Sequence, residues 1–188
     1  MKRKPIIVLS IVTALILSVP LIAMQFSKEV NWSVMDFVVA AILIMGSGLA
    51  IDFTARRSRN ITFKLGVVGA VGNCLFLTWI NLAVGIIGNE DNPANLMYST
   101  VILICIVGVI GSGFQPRGMS YALFATAIAQ FLVPVIAVLI WHPPLDDGLI
   151  KTFVLNTNIA VLFVGSGILF RRASVTSPDD STIPCTPK

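Results

Sequence analysis

Six apolar runs, each about as long as a bilayer is thick, constrain this chain more than any other feature in it. A hydrocarbon core of about 30 Å takes roughly 20 residues at the helical rise of about 1.5 Å, and every backbone polar group inside it must be bonded within the protein. The runs cover roughly residues 6–24, 34–53, 65–87, 96–114, 119–141 and 152–170. Hydrophobic residues make up 56% of the chain and charged residues 12%, a balance foreign to water-soluble domains. The fold class expected is all-α, a six-helix transmembrane bundle within residues 1–172. Residues 173–188, rich in Ser, Thr, Pro and Asp, have little to bury and read as a disordered cytoplasmic tail. Pro20 and Pro134 fall inside runs and are candidate kinks.

The basic residues orient the bundle, because cytoplasmic loops retain Lys and Arg. Lys2, Arg3 and Lys4 precede the first run; Arg56, Arg57, Arg59 and Lys64 lie between the second and third; Arg117 lies between the fourth and fifth; Arg171, Arg172 and Lys188 follow the sixth. Eleven of the thirteen therefore share one side, leaving Lys28 and Lys151 opposite, with Glu29, Glu90, Asp91, Asp146 and Asp147. Both termini are expected inside. Lys2-Arg3-Lys4 before an apolar run also matches the start of a secretory signal, but no small-x-small site stands near Val19 to Gln25, so the first run is read as retained. Cleavage is the alternative, and it would leave five spans. The net charge of +4 comes from these clusters and forms no basic and aromatic stripe, so no nucleic-acid partner is expected.

Several chemistries lack their residues. Cys74, Cys105 and Cys185 show no CxxC spacing, and the first two sit in apolar runs as small hydrophobes, so no disulfide framework is expected. A single histidine, His142, excludes a bis-histidine haem and an HExxH zinc site. No GxSxG, P-loop or strand-linked GxGxxG is present. A non-enzymatic protein without cofactor is expected, an intramembrane enzyme being a minor alternative.

Gly-Ser-Gly occurs at 46–48, 111–113 and 165–167, each time followed by Phe and Arg near one end of an even-numbered run. Small residues let membrane helices approach closely, which accounts for such elements without symmetry. Helices 1-2, 3-4 and 5-6 as three parallel hairpin repeats is the sharper account.

The bilayer-depth polar residues are amides: Asn73, Asn81, Gln130, Asn156 and Asn158. Asn73 and Asn81 stand eight apart with Leu77 between, on one helix face. An amide facing lipid costs several kcal/mol by transfer scales, roughly, so all five are expected to point into the bundle. There they serve either as interhelical glue or as a polar path for a small solute. No carboxylate lies at mid-membrane, which argues against ion-coupled pumping.

In the loop Asn89-Glu90-Asp91-Asn92-Pro93-Ala94-Asn95, Asn92 is expected to cap the next helix with Pro93 at its first position. Asp36, Glu90, Asp91 and Asn95 together form a candidate outer-face site with hard oxygen ligands; whether a metal binds there is left open, since no EF-hand spacing exists. Trp32 and Trp141 sit at expected outer boundaries.

The stretch Trp79-Ile80-Asn81-Leu82-Ala83-Val84-Gly85-Ile86-Ile87-Gly88-Asn89-Glu90-Asp91-Asn92-Pro93-Ala94-Asn95-Leu96-Met97-Tyr98, with Phe114-Gln115-Pro116-Arg117-Gly118-Met119 after it, resembles a group of small bacterial multi-pass inner-membrane proteins. The resemblance extends from Asp36 to Arg172 and is specific in that central stretch. It implies the bacterial cytoplasmic membrane, and no activity or site residue comes with it. The function expected is small-solute binding or permeation. A structural or assembly partner of a membrane complex is the alternative, and an outer-face divalent-cation binder a lesser one. The partners expected are the lipid bilayer and a homo-oligomer or another membrane protein.

Overall fold

The computed structural model describes residues 3–26, 31–88, 92–142 and 147–176. Among the described residues the elements are all helical: α1 (Arg3–Phe26), α2 (Val34–Ala55), α3 (Ile61–Ala83), a 3-10 turn (Pro93–Leu96), α4 (Met97–Gly111), α5 (Pro116–Trp141) and α6 (Asp147–Thr176). Six helices are long and apolar enough to cross a membrane, the 3-10 turn counting with α4. The helices run through Pro20 and Pro134 without a break.

The chain divides into two compact units, Met1–Phe53 and Thr54–Lys188. In the first, α2 starts at a reciprocal cap. The Ser33 amide and hydroxyl donate to Asp36 Oδ2 at 2.7 and 2.9 Å, and the Asp36 amide donates back to Ser33 Oγ at 3.3 Å. This capping box satisfies amides that the first helical turn leaves open. Gly48 of α2 takes the Leu9 side chain of α1, and the Thr13 hydroxyl donates to Met45 Sδ at 3.7 Å.

The second unit packs in the spatial order α3, α6, α5, α4. The contact of α3 with α6 is zipped antiparallel. Phe63 and Phe170 meet edge to face at 5.2 Å, Gly66 lies under the Phe170 ring, Gly69 faces Ser166, and Asn73 reaches Ile159. The buried positions of α3, Phe63, Gly66, Val67, Ala70, Asn73 and Leu77, repeat every three to four residues, so one stripe faces the core. Gly167 of α6 receives the Phe124 ring of α5, and Gly108 of α4 lies against Ala122 of α5. By contrast α3 and α4 meet over a short stretch.

The helix ends differ from the sequence expectation, most informatively in α3, α4 and α6. α3 begins at Ile61 because Asn60 caps it, its Oδ1 accepting from the Thr62 amide at 2.8 Å. It stops at Ala83 rather than Ile87, since Gly85 and Gly88 adopt φ of 72° and 74°, outside any right-handed helix. α4 ends at Gly111 because Gly113 turns the chain at φ 59° and Phe114 follows at 62°, its ring under the Arg57 guanidinium at 4.2 Å. α6 extends past residue 172 to Thr176 with Ala173 buried, so helix occupies the first four residues assigned to a tail; residues 177–188 lie outside the described residues.

Candidate functional site

The breaks after α3 create the site. Residues 84–88 leave helical geometry, so their amides need acceptors, and a buried amide without one costs about 1–3 kcal/mol. Asn95 supplies both: its Oδ1 accepts from Ile86 N at 3.1 Å and Ile87 N at 2.9 Å. The Asn95 carbonyl in turn accepts from Asn81 Nδ2 at 3.2 Å. Asn92 holds the turn that presents Asn95, accepting from the Ala94 amide at 3.0 Å with Pro93 at the first position, as its sequence pattern suggests.

From this loop the polar chain continues into the bundle. The Thr152 hydroxyl of α6 shares its proton between the carbonyls of Ile86 and Gly148, both at 3.0 Å. One turn on, Asn156 Nδ2 donates to the Thr152 carbonyl at 2.8 Å. Asn156 Oδ1 then accepts from Gln130 Nε2 of α5 at 2.7 Å. The hydroxyl of Tyr98, in the first turn of α4, faces the Asn156 amide. Helices α3, α5 and α6 are thus joined through this loop by one connected polar seam, which Tyr98 of α4 faces.

The seam is not fully satisfied. Tyr98, Gln130 and Asn156 are each 0% exposed, yet the Tyr98 hydroxyl and Gln130 Oε1 make no hydrogen bond among the described residues. The same holds for Asn81 Oδ1 on the seam and, farther along the bundle, Asn73 Oδ1 and the Ser120 hydroxyl. Buried acceptors and hydroxyls are ordinarily paired, so two such atoms around one amide mark a place suited to a hydrogen-bonding guest.

No family model, curated protein or solved structure matches this chain.

The structure gathers some of the expected residues and scatters others. Asn81, Gln130 and Asn156 belong to the seam, whereas Asn73 stands two turns from Asn81 and donates to the Ile159 carbonyl at 3.0 Å. Asn158 corrects the expectation that all five amides face inward: it is exposed, and its Nδ2 folds back onto the Val154 carbonyl at 2.8 Å. That internal bond lets an outward amide satisfy its donor within its own helix.

Of the outer-face set, Asp36 places Oδ2 on the α2 cap, and Asn95 is 4% exposed with its side-chain oxygen accepting from two amides. Glu90 and Asp91 lie outside the described residues. Among the described residues, no three of His, Cys, Asp and Glu come together. In the first unit, an open cleft of about 380 Å³ between α1 and α2 is lined by apolar side chains and Asp52.

Tyr98, Thr152 and the cysteine pair were not singled out from sequence. Tyr98 was legible in principle: Tyr98, Val101 and Cys105 are the buried positions of α4, at i, i+3 and i+7, and a tyrosine on that stripe must bring its hydroxyl inside. The pairing of residues across helices had no local signal.

Proposed function

We propose that this chain is a six-span membrane protein whose second unit binds or passes a small neutral solute able to both donate and accept hydrogen bonds. The observation that carries the reading is a pair of fully buried oxygens that no well-formed hydrogen bond satisfies, Tyr98 Oη and Gln130 Oε1, on two side chains that face Asn156. Among the described residues the seam is built of amides, hydroxyls and backbone groups, which suits an uncharged guest. The six apolar helices and the one-sided distribution of eleven basic residues support an inner-membrane placement with both termini inside. Stopped-flow light scattering of proteoliposomes against gradients of urea and glycerol tests the function. Wild-type vesicles should equilibrate faster than protein-free ones, and Gln130→Leu should return them to the protein-free rate. Wild-type vesicles no faster than empty lipid would remove the permeation reading.

A structural role as an assembly partner is the second reading. It is supported by the amide donors of Asn73, Asn81 and Asn156, all of which end on backbone carbonyls and so tie the chain together. Under that reading Gln130→Leu changes stability and leaves permeability unaltered.

The three-hairpin repeat has uneven support. In α2 and α6 the third residue of Gly-Ser-Gly receives a bulky side chain from the preceding helix, Leu9 and Phe124 respectively, and the first glycine meets nothing. In the α3–α4 pair the third glycine, Gly113, ends the helix instead. Helices 1-2 and 5-6 are therefore the better candidates for related hairpins.

A further inference from the structure

The contact between α3 and α4 is short, and two cysteines face each other across it. Cys74 Sγ donates to Cys105 Sγ at 3.9 Å, across a sequence separation of 31. A disulfide needs about 2.05 Å, so the sulfurs must close by roughly 1.9 Å. A side-chain rotation or a small shift of the lightly packed α3–α4 contact covers that distance. The two positions differ in access: Cys105 is buried at 5% exposure, whereas Cys74 is half-buried.

We propose that Cys74 and Cys105 form a thiol–disulfide exchange site, with Cys74 as the entry sulfur and Cys105 as the resolving one. The co-reactant class is a small uncharged disulfide able to enter apolar surroundings. In the first step the Cys74 sulfur bonds to one sulfur of the co-reactant, and the other half leaves as a thiol carrying the Cys74 proton. In the second step Cys105 attacks the Cys74 sulfur, and the remaining half leaves with the second proton. Two protein thiols lose two electrons and two protons, and one disulfide becomes two thiols, so the exchange balances without another oxidant. The product is a covalent tie across the short α3–α4 contact, between the helix that carries Asn81 and the one that follows the Asn95 turn.

The test uses full-length protein carrying Cys185→Ser, purified in detergent and treated with excess 4,4′-dithiodipyridine without denaturant. Two thiopyridones should be released per chain, with no thiopyridyl group retained in the intact mass, both thiols lost and the chain still monomeric on non-reducing gels. Adding Cys105→Ala should give one thiopyridone released and one thiopyridyl group retained on Cys74. Two retained groups would show that the sulfurs react without meeting and would overturn the proposal. Disulfide-linked dimers, or no release at all, would overturn it equally. Because the readout is stoichiometric, it does not depend on solute passage.

Discussion

Gln130 on α5 donates to Asn156 on α6 at 2.7 Å while both side chains are fully shielded. The bond joins the two most extensively packed helices of the second unit, and Asn156 passes the connection on to Thr152 and the loop before α4. Cutting the pair from either side should therefore be worse than removing it whole. Asn156→Leu strands the Gln130 amide nitrogen beside an oxygen that already has no partner, and should cost about 1–3 kcal/mol. The double variant Gln130→Leu with Asn156→Leu should recover part of this, with a coupling of about 1 kcal/mol, the scale of interhelical bonds in membranes. Reversible unfolding of the four proteins in mixed micelles measures it; additive single effects would show that the two amides are energetically independent.

The loop offers a local test. Asn95 Oδ1 is the acceptor for both the Ile86 and Ile87 amides, so Asn95→Ala leaves two donors open at once. Global stability should fall by about 2 kcal/mol, in the range for buried unsatisfied groups. Hydrogen exchange should accelerate in a peptide covering residues 84–96 well before the α5 and α6 peptides respond. Uniform acceleration through the whole bundle would mean that Asn95 supports the core rather than the loop.

What could be read from the chain, and what could not, divides along physical lines. The helices announced themselves because length and apolarity are local properties that a bilayer-scale run displays in order. Asn92 with Pro93 was legible for the same reason, since capping acts within a few residues. Apolarity at Val84, Ile86 and Ile87 suggests a longer α3, but it does not record that Gly85 and Gly88 turn left-handed. Polarity alone points Asn158 inward, but Asn156 and Asn158 are two residues apart, about 200° around a helix, so they face nearly opposite ways. Cys74 and Cys105 meet through tertiary packing, for which a single sequence gives no sign.

Helix approach through small residues predicts a graded glycine series. A methyl at Gly108 would stand 2.7 Å from Ala122 Cβ, with the α5 backbone 3.4 Å away, so α4 and α5 must separate. Gly108→Ala should cost about 1–3 kcal/mol, as overpacked sites do. At Gly46, Gly72 and Gly165 nothing lies within 4 Å, so alanine there should be neutral or stabilising by up to about 1 kcal/mol through helix propensity. Thermal denaturation of the four single variants ranks them. Equal losses at all four positions would mean that glycine is retained for something other than close approach.

Asn60 joins two helix ends, and its two functions separate by substitution. Its Oδ1 caps α3 through the Thr62 amide at 2.8 Å, while its Nδ2 donates to Thr176 Oγ1 at 2.9 Å, near the end of α6. The Thr176 hydroxyl donates to the Arg172 carbonyl at 3.0 Å, so toward Asn60 it acts as the acceptor. Aspartate at residue 60 keeps the cap, and its charge suits the helix N-terminus, but it has no donor for Thr176. Asn60→Asp should therefore leave exchange at residues 61–64 unchanged and speed it at residues 172–176. Thr176→Val should repeat that pattern by removing the acceptor. Asn60→Ala should speed exchange at both ends and cost about 1 kcal/mol for the lost cap. If Asn60→Asp loosens the start of α3 instead, the cap depends on the Thr176 contact, and the two functions are one.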